Sequence, residues 1–359
     1  MTSQHLGVGT PDPTTFAQRL DISEEAAALY LASEVIDLHV DSFIWHRVFG
    51  YDLTRRHGRG LLGGLCYSQV DLPRMLEARV AGATWVITTN PARDSWSRQE
   101  TFFDNLRALQ EIFAGVADSF SVVHSRGDFV RARAAGKHGV FIGVQGGNAL
   151  DHDLSVFDQV DTQLLLRITL VHLSSSSLGT TSSPTALARG AGLTRRGKEY
   201  VERLNEKNIF VDLAHISKEG FWDAVTVHDP RKPMMVSHTG VSGVHDHWRN
   251  LDDAQLKAIA DSGGIVGIMY HSEYLGDPLF RGRAESIVLH LEHALRVAGV
   301  DHVALGSDWD GAICTPRDMR TCQELPRLVD IMLRRGWRQQ TVQKVLGENF
   351  LAVLGELRP

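Results

Sequence analysis

The run Asp37-Leu38-His39-Val40-Asp41, "DLHVD", sets an imidazole and a carboxylate two residues apart. In a strand, residues i and i+2 face the same side, so His39 and Asp41 stand together while Val40 turns away, which makes a two-ligand edge for a divalent metal ion. A lone His-x-Asp is as easily a satisfied structural pair; repetition is what gives the pattern force. At the ends of further apolar runs stand Gln145 in "GVFIGVQGG", His172 in "LLLRITLVH", His215 in "IFVDLAHIS", His238 in "PMMVSHTG" and Asp308 in "HVALGSDWDG". Four histidines and two aspartates in that one kind of place are not scattered core residues. Imidazole and carboxylate without thiolate select zinc or a similar first-row metal. Such an ion lowers the pKa of its bound water toward ~7, so attack of hydroxide on a carbonyl is the chemistry expected.

The elements that must position these residues alternate along the chain. Short apolar runs are followed by amphipathic stretches such as "TRRGKEYVERLNEKN", "LDDAQLKAIADSG" and "AESIVLHLEHALRVAG", with apolar residues three and four apart. About eight β-then-α units predict a (β/α)8 TIM barrel, in which the C-terminal ends of the strands face the site. The other architecture, a doubly wound open sheet, lacks its GxGxxG after the first strand. "FSVVHS" (120–125) reads either as a ninth strand or as an irregular connection. The expected organisation is a leader and helix over 1–33, then one catalytic barrel over 34–359, without internal repeats.

Composition excludes several functions. The chain has 359 residues, 43% of them hydrophobic, and a formal charge of -6, which argues against a protein that grips nucleic-acid phosphates or an anionic membrane. Its start lacks the basic and apolar regions of a secretory signal, and no run approaches the ~18 apolar residues of a membrane span. A soluble, cytoplasmic protein with a small-molecule partner is expected. Cys66, Cys314 and Cys322 show no CxxC spacing, so neither a disulfide framework nor a thiolate metal cluster is expected.

"VIDLHVDSFIW", "LTRRGKEYVERLNEKNIFVDLAHIS", "VSHTGV", "WRNLDD", "HVALGSDWDG" and "VLGENFLAVL" together resemble the membrane (renal) dipeptidase family of the metal-dependent amidohydrolase superfamily. The resemblance runs from about Glu34 to Leu354. It implies a barrel that binds two zinc ions and hydrolyses dipeptides, in bacteria including those with a C-terminal D-residue, and a homodimer. It implies that His39, Asp41 and Asp308 hold the first ion and His215 and His238 the second. His172 then contacts the scissile carbonyl and stabilises the oxyanion, Arg249 in "WRN" holds the substrate carboxylate, and Asp308 serves as general base and then acid.

The chain departs from that pattern at Gln145-Gly146-Gly147-Asn148, where the family reads Glu-Gly-Gly-His with the glutamate bridging both ions. A carboxylate offers an anionic oxygen to each metal, whereas an amide offers one neutral oxygen and an NH2 that only donates. Weaker occupancy of one position, or a mononuclear centre, is the expected result. Three readings follow: a dipeptidase that tolerates Gln145, a mononuclear amidohydrolase acting on another small amide, and a catalytically impaired relative that binds a peptide-like ligand.

Other residues have structural explanations beside functional ones. Asp37 is either an acceptor for a ligand imidazole or a hydrogen-bonded barrel residue. Asp212 is expected to contact a helix, His245 and His247 to sit exposed in a loop, and Asp310 to line the site or to form the turn before Gly311. "LSSSSLGTTSSP" (173–184) reads as a flexible active-site loop, and the basic "LTRRHGR" (53–59) as a solvated one.

Overall fold

The computed structural model of the chain describes residues 11–58, 61–184 and 190–359. The first ten residues of the expected leader and Arg59 of the basic loop lie outside the described residues. The strands are β1 (Ile36–Val40), β2 (Gly82–Thr88), β3 (Phe120–Val122), β4 (His138–Gln145), β5 (Leu165–Thr169), β6 (Phe210–Asp212), β7 (Met235–Thr239), β8 (Ile265–Ile268) and β9 (Val303–Leu305). All their pairings are parallel, in the order β2-β1-β9-β8-β7-β6-β5-β4, and β2 pairs β4 to close the ring. The eight strands of that ring are buried at every residue, as parallel strands covered by helices must be, which is why they read as apolar runs without alternation.

"FSVVHS" is resolved by β3, which pairs with the first residues of β4, from Phe120↔His138 to Val122↔Val140, on the edge that β5 takes over further along. It is a ninth strand outside the closed ring. Glycine makes the neighbouring contact possible: a Cβ at Gly139 would lie 2.6 Å from Phe129 Cδ2, so the Phe129 ring, on the helix Arg126–Ala134, packs directly against the β4 backbone.

The two ends of the barrel are built differently. At the beginnings of the strands, Phe350, Val353, Leu354 and Leu357 of the C-terminal helix Asn349–Leu357 join Ile36, Phe141, Phe210, Met235 and Ile265 in one apolar cluster. Arg358 ties that helix down, donating to the carbonyls of Asn208, Gln163 and Leu165 just before β6 and at the start of β5. The strand ends carry the polar residues described below.

The helix Pro13–Leu20 packs on the helix Glu24–Leu31, which in turn lies against the helix Pro326–Arg334, with Ser23 donating through its backbone N and its Oγ to Asp330 at 2.9 and 2.8 Å. All three cysteines are free thiols; Cys66 and Cys314, 248 positions apart, bring their sulfurs to 2.9 Å. Among the described residues no helix is long and apolar enough to cross a membrane.

Candidate metal centre

Each strand-end residue reaches the mouth of the barrel by a local device. β1 slips register between Asp37 and Val40, and Asp37 Oδ1 accepts from the backbone N of His39 and of Ser307. Asp37 therefore shapes the irregular end of β1 and is not an acceptor for a ligand imidazole. His215 and Asp308 stand three residues past β6 and β9 with φ of 67° and 65°, the left-handed region that costs a side-chain-bearing residue of order 1 kcal/mol. Such strain is held where a side chain must be aimed.

The aim is convergent. His39 Nε2 lies 3.3 Å from Asp41 Oδ2 and 3.6 Å from Asp308 Oδ1, and ligand atoms of His39, His238 and Asp308 lie within 4.8 Å of one another, all buried. Atoms bound to one tetrahedral ion at 2.0–2.2 Å lie about 3.3–3.6 Å apart, so these separations fit a metal. The His39 and His238 rings stand 3.8 Å apart, and His215 Nε2 faces His238 Nε2 at 2.9 Å. Two neutral imidazoles meet in this way by sharing one proton or by turning both lone pairs to a cation. Burial presses the His215 and His238 pKa values well below the ordinary value, so both rings stay neutral and able to ligate. His238 thus belongs with the His39 and Asp308 group as well as with His215.

The carboxylates divide their affinity for protons. Burial raises both, but His39 and the Thr88 hydroxyl, at 2.7 Å from Asp41 Oδ1, hold Asp41 below its ordinary value. Asp308 has burial and then the Asp41 charge against it and is pushed well above the carboxylate range. One carboxyl thus favours its ionised form and the other its protonated form.

Gln145, at the end of β4, spends both amide protons inside the site. Its Nε2 lies 3.2 Å from Asp41 Oδ2 and 2.9 Å from His172 Nε2, and the carboxylate, which only accepts, fixes the NH2 on that side. Its Oε1 is buried without a hydrogen-bond partner, so one neutral oxygen is free for an ion. His172 Nε2 consequently accepts, and the proton of this ring resides on Nδ1. Burial lowers the His172 pKa to about 4, so the ring is neutral.

Arg249 is 3% exposed, and burial lowers its pKa to about 10. Its Nη2 donates to His238 O at 2.7 Å, and its Nε has no partner. With His215, His247, Trp248 and Lys218 it lines a cavity of about 320 Å³.

Several expectations change. Asp212 does not face a helix: it is fully buried, paired with Arg167 Nη1 at 2.7 Å, and accepts from the Ser237 and Ala214 backbones. Asp310 does not line the site; it accepts from Ser42 Oγ and from the backbone of Gln69 and Val70, clasping that segment to the loop after β9. The Ser/Thr-rich stretch is a bonded strap, in which the single Thr181 hydroxyl proton lies between the carbonyls of His172 and His215, at 2.5 and 3.0 Å from Oγ1, and Ser182 N donates to His215 O. His247 stacks on Tyr274 at 4.5 Å and is not among the residues whose ligand atoms converge. In the basic loop, Arg56 pairs with Glu77 on the surface.

The residues that the sequence pattern did not single out are those behind the ligands: Thr88 on Asp41, Ser237 with its Oγ 2.8 Å from His238 Nδ1, and Arg167 on His39 and Asp212. Only Arg167 carried a signal, as a charge inside the apolar run "LLLRITLVH".

The profile of the family described as membrane dipeptidase (peptidase family M19) matches residues 23–358. A protein of the pqqA 5' region of Klebsiella pneumoniae is 29% identical over 264 residues, 71% of this chain and 95% of that one. The dipeptidase tcpJ of Claviceps purpurea is 27% identical over 297 residues, 80% of this chain and 69% of that one. Among solved structures, the dipeptidase AC, a metallo peptidase, superposes with a TM-score of 0.80 at 25% identity, over 90% of this chain and 98% of its own.

Proposed function

The chain belongs to the membrane dipeptidase family, peptidase family M19, a family of hydrolases acting on peptide bonds, and from that premise we propose that it is a zinc-dependent dipeptidase. The observation that carries this reading is the convergence of His39, His238 and Asp308 ligand atoms within 4.8 Å, beside His215 and between carboxylates of opposed proton affinity. One ion would be held by His215 and His238 and another by His39, Asp41 and Asp308, with Gln145 Oε1 unpaired beside them.

A bound divalent ion supplies Lewis acidity and an activated water. The chain's own groups do the rest. Asp308 takes the proton of the attacking water and returns it to the leaving amine. Asp41 stays ionised and balances positive charge. His172 presents its Nδ1–H to the developing oxyanion, and Arg249 holds the terminal carboxylate of the dipeptide in the cavity it lines.

The free amide oxygen at Gln145 favours a second reading, a mononuclear amidohydrolase working on a different small amide. Elemental mass spectrometry of the purified protein, paired with amine release from dipeptides carrying L- or D-residues at the second position, tests both. Bound zinc and chelator-sensitive turnover are expected. Bound metal with no dipeptide turnover selects the second reading, and absence of metal defeats both.

A further inference from the structure

Arg167, on β5, has no exposed surface. Its guanidinium donates through Nη1 to Asp212 Oδ2 at 2.7 Å and to Thr169 Oγ1 at 2.9 Å, and through Nη2 to His39 Nδ1 at 2.7 Å. Space is reserved for it: a Cβ at Gly143 would lie 3.3 Å from Arg167 Cζ and 2.9 Å from Thr84 Cγ2, so glycine on β4 leaves room for the guanidinium inside the barrel.

The contact with His39 runs in an unusual direction. A ligating histidine keeps its proton on the nitrogen turned away from the ion and gives it to a carboxylate, carbonyl or hydroxyl oxygen. His238 has such a partner in Ser237 Oγ at 2.8 Å. His39 has a guanidinium, which only donates and does not give up its proton. His39 Nδ1 must therefore accept, and the proton of the neutral ring sits on Nε2, which lies 3.3 Å from Asp41 Oδ2 and 3.6 Å from Asp308 Oδ1 without a hydrogen bond to either. For His39 Nε2 to ligate, an imidazole N–H would have to face a guanidinium N–H at 2.7 Å. The fixed charge of Arg167 also acts on Asp41 and Asp308, partly meeting the negative charge that an ion at this corner would use.

We propose that Arg167 is a built-in cation that makes the two metal positions unequal: one ion binds tightly on the β6–β7 side through His215 and His238, and the β1 position, with the guanidinium on His39 Nδ1 keeping the ring proton on Nε2, binds a second ion at least ~100-fold more weakly. Arg167 is a positioning residue acting through His39. The proposal deepens the metallohydrolase reading and rests on it for the presence of an ion.

The test is a zinc titration of the full-length, chelator-stripped protein against a chromophoric competitor, for the wild type and for Arg167→Gln. The glutamine carbonyl can accept from His39 Nδ1–H while its NH2 still donates to Asp212. Two separated affinities are expected for the wild type, and the variant should narrow the gap at least ~10-fold, the size typical of a change behind a metal ligand. Equal affinities in the wild type, or a gap unchanged in the variant, would overturn the proposal. Should the variant not fold, histidine nitrogen NMR of the zinc-free wild type decides: a protonated His39 Nε2 supports the proposal and a protonated Nδ1 sinks it. Dipeptide turnover by the zinc-loaded wild type separates this from the functional reading. No turnover with unequal sites discards the dipeptidase and keeps Arg167 in its role, whereas turnover with equal sites does the reverse.

Discussion

β4 begins with His138 and ends with Gln145, and the contrast between its two ends holds for the whole barrel. At the beginning, His138 is enclosed by Trp85 and Phe120, and its Nδ1 meets Val80 O at 2.8 Å; Phe141, further along, packs edge-on against Phe350 of the C-terminal helix at 5.3 Å. At the end, Gln145 meets Asp41 and His172 in a cluster of polar groups, several of them left without partners. One end is apolar, with His138 Nε2 an isolated unpartnered atom among rings, and the other gathers many polar groups, several of them unpaired. Position in the strand, more than residue type, separates a structural histidine such as His138 from one that can do chemistry.

The contrast predicts separable failures. At the upper end, Asp308→Asn removes the proton carrier, and dipeptide turnover at saturating zinc should fall by about 10³-fold or more. Thermal unfolding should stay near the wild-type temperature, because the variant also removes a carboxyl that burial opposes. A fall in turnover matched by a collapse in stability would mean that Asp308 is structural. At the lower end, Phe350→Ala should cost about 3–5 kcal/mol in denaturant unfolding, through lost burial and a cavity beneath Phe141. Zinc bound per folded chain should not change, and a loss of zinc would show that the ends are not independent.

Much of the upper end was legible in the sequence because barrel geometry sends strand-end side chains into one place. His39, Asp41, Gln145, His172, His215, His238 and Asp308 needed only the period of two and the ends of the apolar runs to be gathered. What escaped depends on three-dimensional partners at long separation. Asp212 looked like a helix contact because nothing in "IFVDLAH" reveals that Arg167, 45 positions earlier, points at it. Asp310 could not be told from a turn residue without Gln69, 241 positions away. The Ser/Thr-rich strap reads as flexible by composition, yet its hydroxyls and amides bind the carbonyls of His172 and His215. The plug at the lower end was invisible for a different reason: apolar residues at strand starts and in the last helix look the same whether they face inward or outward.

Acid sharpens the contrast further. Burial lowers the His138 pKa from 6.5 to about 4, so the folded protein binds its proton less readily than the unfolded chain does. The stability this group confers is full above pH 6.5 and is lost as the pH falls from 6.5 to about 4, amounting to about 3 kcal/mol over that window. Replacing it by His138→Asn, whose NH2 sits where Nδ1 does and can still donate to Val80 O, should flatten the acid limb of a stability-against-pH curve of the zinc-free protein by roughly that amount. An unchanged limb would assign the acid sensitivity to the upper histidines alone.

The smallest expected effect comes from Ser237→Ala, a change confined to the upper end. Ser237 Oγ lies 2.8 Å from His238 Nδ1 and is itself fully buried. For His238 to ligate through Nε2 this hydroxyl must accept the Nδ1 proton, leaving the Nε2 lone pair free toward His215 and an ion. Without it the ring can hold its proton on either nitrogen, and the buried Nδ1–H loses its acceptor. Zinc affinity should drop about 10-fold at the tight position, within the range seen when the group behind a metal ligand is removed. Because one neutral hydrogen bond contributes about 1 kcal/mol, the unfolding midpoint of the metal-free protein should move little. An unaltered zinc affinity would mean that Ser237 fills space rather than orienting His238, and that the upper end owes its ligand geometry to the backbone alone.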